Sequence, residues 1–317
     1  VSFIERGLPG DRPLFLNLAL LAPHAETCAD AAAQFEQIPR TQELFGVRIR
    51  PAPMDRDVAV PAFSPSPSYS EGAEGRDSVA DKPAWVRGVA DLTRQDYANL
   101  TLQHRNRLRS MLAVDRVIGR IAAALGPEIE NTVILFTSDN GWLYGDHKLN
   151  GKVVGYEESS RVPLIIRDGR RGNGPAIVSR LVGNHDYLPT LLELARIPFD
   201  PDAFDGRSMV PLLADPDGSA WTRNVLLLEH WRAFDQPDSQ EQPSYFGMRS
   251  ESRAYFETSD ALLYGGPRDS RLIGLEYYQL DSDPHQLDSW YTAETDAPPE
   301  RLHSLLERLK RCGNGTC

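Results

Sequence analysis

The stretch that most constrains the fold is a short apolar run that stops at an acid and an amide. Residues 132–136 (TVILF) are mostly β-branched or aromatic, and Asp139 and Asn140 follow almost at once. Before this run, apolar residues recur at helical spacing until Gly126 and Pro127 end the pattern. The recurring residues are Leu108, Met111, Leu112, Val114, Val117, Ile118, Ile121 and Leu125. The pattern predicts a long helix that leads into a buried strand.

Other segments continue this alternation of strand and helix. Residues 161–167 (RVPLIIR) predict a second short strand, and residues 184–197 predict a helix with Pro189 in its first turn. Residues 12–23 form an apolar run bounded by prolines, as expected for a strand covered on both faces. The order predicts an α/β fold with a mainly parallel sheet flanked by helices. In such sheets, sites lie beyond the carboxyl ends of the strands.

The texture of the sequence changes along the chain. Residues 50–82 are rich in proline, serine and acids, which predicts an irregular surface segment. After about Leu213, short alternating runs predict hairpin strands, and residues 298–312 predict a closing amphipathic helix. We therefore divide the chain into a main domain, residues 1–215, and a smaller antiparallel α+β subdomain, residues 216–317.

Charge and cysteine usage narrow the partners and the compartment. The net charge is -11 and the pI is near 5.2, which disfavours nucleic acid because phosphate binding needs a basic face. No stretch approaches the roughly 20 apolar residues of a membrane span, so we expect no membrane partner. Cys312 and Cys317 are close enough for a small disulfide, which leaves Cys28 odd. That pairing favours a secreted or periplasmic protein, and two reduced thiols remain the alternative.

The residues after the apolar run could carry chemistry. Asp139 and Asn140 offer hard oxygen ligands that suit Ca²⁺ or Mg²⁺, although the same residue types are typical of a turn. His147, Lys148 and Lys152 follow within a glycine-rich stretch. A cation, a lysine and a histidine together could cradle a tetrahedral oxyanion. The structural alternative is a capped turn with a solvated lysine.

Two further features lie in a comparable position. His24 directly follows the apolar run of residues 12–23, so its side chain would open on the same sheet edge; the alternative is an ordinary loop histidine. Glu157, Glu158 and Arg161 predict an ion-pair cluster that fixes the loop against the sheet.

The motifs carry a resemblance. Residues 137–167 (TSDNGWLYGDHKLNGKVVGYEESSRVPLIIR) resemble the second signature region of the formylglycine-dependent sulfatases, where SDNG is followed by GxH, GK, YEES and RVPLIIR. The segments PLFLNLALLAPHAE, DKPAWVR, NHDYLPTLLELARI and EYYQLDSDPHQLDSWY resemble other parts of the family, and in particular its arylsulfatase and N-acetylglucosamine-6-sulfatase branch. The resemblance covers nearly the entire sequence.

The resemblance implies an alkaline-phosphatase-like fold and a role for each matched residue. Asp139 and Asn140 match a pair of Ca²⁺ ligands, with Mg²⁺ as an alternative ion. Lys152 matches the lysine that binds sulfate and stabilises the leaving oxygen. His24 matches a histidine that contacts the sulfate or the leaving group, and His147 matches a histidine that lines the pocket.

The departures from the family pattern are equally specific. The family's nucleophile is a cysteine in a C-x-P/A-x-R motif, and neither Cys28 (CADAA) nor Cys312 (CGNGT) fits it. The paired N-terminal aspartates of the metal site are also missing. We therefore expect a fragment that is inactive alone, an incomplete Ca²⁺ site, and a sheet incomplete at the N-terminus with exposed apolar surface. A missing N-terminal segment would be its partner.

The function implied is that of a sulfuric ester hydrolase acting on a sulfated sugar or an aryl sulfate. Two alternatives remain open. One is a phosphodiesterase or phosphonate hydrolase of the same superfamily. The other is a non-catalytic remnant that binds an anionic sugar.

Overall fold

The computed structural model describes residues 1–8, 13–24, 49, 51–70, 79–171, 174–232, 242–260, 271–291 and 297–312. Its α-helices are α1 (Ser2–Gly7), α2 (Ala84–Arg87), α3 (Arg94–Leu125), α4 (Glu157–Ser160), α5 (Tyr187–Leu194), α6 (Val210–Ala214) and α7 (Glu300–Leu309). Its 3₁₀ helices are Pro53–Asp55, Pro67–Ser70, Val79–Asp81, Gly126–Asn131, Asp146–Lys148, Asn184–Asp186 and Pro201–Ala203. Only single 3₁₀ turns occur in the described part of residues 50–82, so the irregular segment is confirmed there.

The strands form three separate antiparallel sheets. They are β1 (Val133–Thr137), β2 (Leu143–Tyr144), β3 (Asn150–Gly151), β4 (Leu164–Asp168), β5 (Leu226–His230), β6 (Ser244–Arg249), β7 (Arg253–Ser259) and β8 (Leu272–Gln279). β1 pairs with β4, β2 pairs with β3, and β5 to β8 form a four-stranded meander in chain order. The α/β class and the C-terminal antiparallel sheet are as predicted; a further predicted run, residues 261–265, lies outside the described residues.

The long helix α3 confirms the helical pattern in the sequence. Thr93 begins it with a capping box: the backbone N–H of Asp96 donates to the Thr93 hydroxyl, and the Asp96 carboxylate accepts from the Thr93 backbone. These bonds satisfy donors that the first turn leaves without partners. Gly126, at φ 53°, ends the helix in a conformation that residues with a Cβ rarely adopt.

The pairing of β1 with β4 differs from the expectation of parallel neighbours. Val133 lies opposite Asp168 and Thr137 lies opposite Leu164, so the two strands run antiparallel. A parallel pair needs a crossover of a dozen or more residues, usually a helix. The connection here contains the β2–β3 hairpin and the four-residue α4 instead. We call residues 138–163, which join β1 to β4, the site loop.

The apolar run of residues 12–23 does not form the predicted strand. Its described part, residues 13–24, has no regular secondary structure, and Phe15 and Leu21 are 72% and 64% exposed. A buried strand needs hydrogen-bonded neighbours, and no described strand pairs with this run. Ile165 of β4 is also 60% exposed. Exposed apolar surface, expected at the sheet edge, is therefore present.

The core joins the site loop to the C-terminal sheet. One buried cluster contains Leu143, Leu149, Val154, Tyr156, Ala254, Phe256, Tyr278 and Leu280. A second cluster lies between the sheet and α7 and contains Phe246, Met248, Tyr255, Leu275, Tyr277 and Leu306. The first cluster crosses the predicted boundary at residue 215, and the division into two domains stays a prediction.

Two chain-wide expectations concern the membrane and the cysteines. Among the described residues, no helix combines the length and the apolarity that a bilayer crossing requires. Cys312 is disulfide-bonded. Its expected partner Cys317 lies outside the described residues, as does Cys28.

Candidate functional site

The structure brings Asn140 and Lys152 together at the end of β1. The Lys152 ammonium donates to the side-chain oxygen of Asn140 at 2.8 Å. The Ser138 hydroxyl donates to the Asn140 backbone carbonyl at 2.9 Å, and the Asn140 amide donates to the carbonyl of Gly141 at 2.8 Å. Two residues that are 12 apart in the chain therefore face each other across the site loop.

Glycine is required where the site loop leaves β1. The backbone N–H of Gly141 donates to the carbonyl of Ser159 at 2.8 Å, which ties the start of the loop to α4. A Cβ at Gly141 would overlap the carbonyl of Glu158. This close approach sets the position of Asn140 relative to Lys152.

Asp139 and Asn140 do not by themselves fit a complete metal site. Asp139 is exposed, and its carboxylate accepts the Asn140 backbone N–H at 3.0 Å. Ca²⁺ takes six to eight oxygen ligands, whereas the Asn140 oxygen already accepts from Lys152. Within the described ranges, no group of three or more His, Cys, Asp or Glu residues could hold a metal ion. Their role as metal ligands stays a prediction.

His147 lies in a strained turn and is fully buried. Its φ is 52°, within the left-handed region that disfavours a side chain, and Gly145 before it has φ 99°. The His147 ring stacks on Tyr156 with centroids 4.0 Å apart and planes at 27°. The strain is held by the β2–β3 hairpin, where Leu143 pairs with Gly151. His147 is thus a buried residue within the site loop.

Lys148 and Lys152 have different surroundings although both lie in the site loop. The Lys148 ammonium is 2.6 Å from the Asp91 carboxylate, which is largely exposed. Lys152 instead contacts Asn140 at the strand end. Of the two lysines, Lys152 therefore stands next to the predicted metal ligands.

A buried carboxylate cluster lies beneath the turn that carries His147. Asp146 accepts hydrogen bonds from the hydroxyls of Ser66 and Ser68, and from the backbone N–H of Tyr144 at 2.8 Å. The Ser68 hydroxyl is also 3.1 Å from the Glu158 carboxylate. Burial raises the pKa of Glu158, the charge of Asp146 raises it further, and His147 lowers it.

The ion-pair cluster predicted from Glu157, Glu158 and Arg161 forms only in part. Glu157 pairs with Arg249 of β6 at 2.9 Å, while Arg161 is 3.9 Å away and its side chain is 79% exposed. The Glu157 backbone N–H also donates to the buried side chain of Gln286 at 2.7 Å. The site loop is therefore fixed mainly by the C-terminal sheet and the segment after it.

An aromatic contact supports the loop from α3. The Arg107 guanidinium stacks over the Trp142 ring at 3.8 Å, and the Trp142 indole donates to the Asn150 side chain at 3.1 Å. Trp142 follows Asn140 by two residues, so α3 holds the loop close to the Lys152 contact.

His24 is exposed and follows a cis Ala22–Pro23 peptide bond. Its role at the site stays a prediction.

Sequence reasoning missed Tyr156 as a support of the site and missed Glu276 altogether. The Tyr156 hydroxyl donates to the Glu276 carboxylate at 2.7 Å, across 120 positions of sequence. Tyr156 lies beside the recognised YEES motif, but no local signal marks Glu276 as its partner.

Comparison with models of protein families shows which family the chain belongs to. The family model described as Sulfatase matches residues 2–197. The chain belongs to the sulfatase family. A second model, described as N-sulphoglucosamine sulphohydrolase, C-terminal, matches residues 145–312 of this sulfatase chain. Together the two models cover the site loop and the C-terminal sheet.

Relatives agree with this assignment. An arylsulfatase from Volvox carteri is 28% identical over 335 residues, covering 100% of this chain and 50% of the relative. A protein solved in complex with its substrate D-glucosamine-2-N,6-O-disulfate is 26% identical, with a TM-score of 0.56 over 68% of this chain and 41% of that one.

The fold is shared more widely than the family. A phosphonate monoester hydrolase from Silicibacter pomeroyi superposes with a TM-score of 0.57 at 22% identity, covering 84% of this chain and 54% of that one. At that identity the likeness concerns the fold alone. This sulfatase chain spans about half the length of the curated relatives it matches.

Proposed function

We propose that this chain carries the sulfate-binding side of a sulfuric ester hydrolase that acts on a sulfated sugar or an aryl sulfate. The observation that carries the proposal is the contact between Lys152 and Asn140 at 2.8 Å, with Asp139 beside it at the end of β1. A fixed ammonium next to oxygen donors at a strand end suits an oxyanion. Family membership supports the same chemistry.

Each predicted residue has a distinct task in this proposal. Cleavage of a sulfate ester shifts negative charge onto the leaving oxygen, and the Lys152 ammonium would offset it. His147 would line the pocket from its buried turn, and His24 would contact the sulfate or the leaving group. Asp139 and Asn140 would be two ligands of Ca²⁺, or of Mg²⁺, in a shell completed from outside the described residues. A bound cation would supply positive charge next to the sulfate oxygens.

The proposal includes inactivity of this chain on its own. Neither Cys28 nor Cys312 lies in a C-x-P/A-x-R motif, and the disulfide at Cys312 removes that thiol from nucleophilic chemistry. A segment that supplies the nucleophile would then be the partner of this chain. The disulfide also supports a secreted or periplasmic location, because such bonds persist in oxidising compartments.

A sulfated sugar is favoured as the substrate class by the solved relative bound to D-glucosamine-2-N,6-O-disulfate. A phosphodiesterase or phosphonate hydrolase would share the fold, and the phosphonate monoester hydrolase likeness keeps it as the second candidate. Both kinds of ester are singly negative and tetrahedral, and they differ in the central atom and in the carbon or ester group that replaces one non-bridging oxygen of the sulfate. Rates on matched aryl esters therefore separate them.

The test uses the protein in which this chain naturally occurs, with an aryl sulfate, an aryl phosphonate monoester and glucosamine 6-sulfate as substrates. We expect the sulfate esters to be cleaved fastest, and Lys152→Ala to lower kcat about 100-fold or more, as loss of one oxyanion donor does. The matched control is Lys310→Met, which loses a partly exposed ion pair to Glu307 of α7 and should keep kcat within about twofold.

Two results would contradict the proposal. A faster rate on the phosphonate ester would favour the second candidate, and full activity of Lys152→Ala would remove the role of that residue. The isolated 317-residue chain is assayed in parallel. Turnover by it that Lys152→Ala abolishes would refute its inactivity.

A further inference from the structure

Glu276 is a buried acid that lies outside the motifs of the site loop. It is on β8, only 3% exposed, and its Oε1 atom accepts two hydrogen bonds. The Tyr156 hydroxyl donates at 2.7 Å and the Tyr278 hydroxyl at 2.6 Å. Buried carboxyl groups are rare unless they are paired, because burial disfavours the charged form. Two hydroxyl donors on one oxygen offset part of that cost.

The charged groups around Glu276 connect it to His147. Burial raises the pKa of Glu276, whereas the two tyrosine hydroxyls, Lys82 and His147 lower it. The Lys82 ammonium also lies 5.2 Å from the centre of the Tyr278 ring. Glu276 therefore lies close enough to the His147 turn to interact electrostatically with it.

Tyr156 is the physical link between Glu276 and His147. One face of its ring stacks on His147 at 4.0 Å, and its hydroxyl is anchored on Glu276. Both rings are almost completely buried, at 2% exposed for Tyr156 and 0% for His147. Because the hydroxyl fixes the far end of the Tyr156 ring, the direction in which the ring extends beside His147 is fixed as well.

The backbone on both sides of Tyr156 is also held by the C-terminal part of the chain. A Cβ on Gly155 would overlap the Phe256 ring of β7. The Glu157 backbone N–H donates to Gln286 at 2.7 Å. The position of the Tyr156 ring is therefore set by groups far along the chain, and its orientation by Glu276.

We propose that Glu276 is a positioning residue for the reaction: it fixes the His147 ring through Tyr156. This inference rests on the proposed function, because His147 matters for rate only if the site loop binds the ester. His147 has a strained φ of 52°, and a residue keeps such a backbone conformation only when its surroundings hold it there. The stacking contact with Tyr156 is one of the contacts that hold it.

Tyr156→Phe is the sharpest variant, because it removes the hydroxyl and keeps the ring that stacks on His147. We expect kcat/KM to fall about tenfold, since small displacements of a site group lower rates steeply. The matched control is Tyr255→Phe in the neighbouring strand. Its hydroxyl donates to Glu257 at 2.6 Å in an equally buried Tyr–Glu pair. The control should lose stability without losing kcat/KM.

A double-variant comparison shows whether the effect passes through His147. In a His147→Ala background, Tyr156→Phe should cause no further loss of kcat/KM, because the group it positions is gone. Glu276→Gln keeps an acceptor oxygen for the hydroxyl and should retain more activity than Glu276→Leu. Equal losses in both backgrounds, or a loss in Tyr255→Phe as large as in Tyr156→Phe, would overturn the proposal.

A spectroscopic measurement on the His147 ring tests the positioning without relying on the reaction. With histidine-selective isotope labelling, the ring protons of His147 should show an upfield ring-current shift from the stacked Tyr156, and Tyr156→Phe should reduce it. An unchanged shift in Tyr156→Phe would refute positioning even if the protein cleaved no sulfate ester. A changed shift without sulfatase activity would refute the proposed function alone.

Discussion

Asp186 and Arg223 form a buried ion pair whose removal should cost more stability than any surface pair in this chain. Asp186 is 0% exposed and Arg223 is 7% exposed. The Arg223 guanidinium donates to both carboxylate oxygens, and the backbone N–H groups of Gly183 and Arg207 donate to the same carboxylate, each at 2.8 Å. Asp186→Asn keeps the size of the side chain but leaves Arg223 buried without a counter-charge.

The expected cost follows from this geometry. Breaking a buried pair by removing one partner costs about 3–5 kcal/mol, which corresponds to a fall in Tm of roughly 5–8 °C for a chain of 317 residues. Urea unfolding followed by circular dichroism measures the difference, with thermal unfolding as a second assay. Replacing both partners, with Asp186→Leu and Arg223→Met, should recover part of the loss because the unpaired charge is gone.

Asp168→Asn is the control for this prediction. Asp168 also binds two arginines, Arg170 and Arg171, but their side chains are 34% and 31% exposed, so water can solvate them when the carboxylate is lost. We expect a cost below about 1 kcal/mol. Equal losses for Asp186→Asn and Asp168→Asn would refute the argument from burial.

Four further variants test local features by urea unfolding. Gly141→Ala should destabilise the chain by about 2 kcal/mol, because the new Cβ would overlap the Glu158 carbonyl. Gly119→Ala lies in open space on α3 and should stabilise the chain by about 0.5–1 kcal/mol. If Gly141→Ala proved the more stable of the two variants, both arguments would be refuted. Thr93→Ala should cost about 1 kcal/mol by removing the cap of α3, and no measurable cost would mean that the cap does not hold the helix. Burial raises the pKa of Glu158 above 4.5, so the Glu158 carboxyl holds its proton more tightly in the folded chain than in the unfolded chain. The free energy of unfolding should therefore fall as the pH rises from 4.5 through the raised pKa. Glu158→Gln should flatten that slope, and an unchanged slope would contradict the assignment.

The sequence predicted best the elements that carry their own periodic signal. The helix from Arg94 to Leu125 has both a cap and a stop in its sequence, and short runs between turn residues indicate the C-terminal strands, although β6 to β8 are buried along most of their length and not on one face alone. The site loop carries a different signal. Its SDNG, GDH and GK motifs lie within 15 residues, and their resemblance to a sulfatase signature pointed to Asn140 and Lys152, which the structure places 2.8 Å apart.

The misses all depend on contacts that a local pattern cannot encode. Residues 13–24 have the composition of a buried strand, but a strand exists only where neighbours accept its hydrogen bonds, and composition does not name them. Likewise, the direction of β4 against β1 follows from the path of the site loop and not from the apolar run itself. Tyr156 and Glu276 meet across 120 positions, which neither motif nor periodicity could reveal.

That separation has a consequence for the order in which the protein is made. The hydrogen bond between Tyr156 and Glu276 spans 120 positions. At about 5–20 residues per second, the ribosome adds Glu276 roughly 6–24 s after Tyr156. During that interval the nascent chain already carries Lys152 and His147, but not the acid that anchors the ring beneath them. The loop that would hold the ester is therefore synthesised before its support, and it can reach its final shape only after β8 has been added.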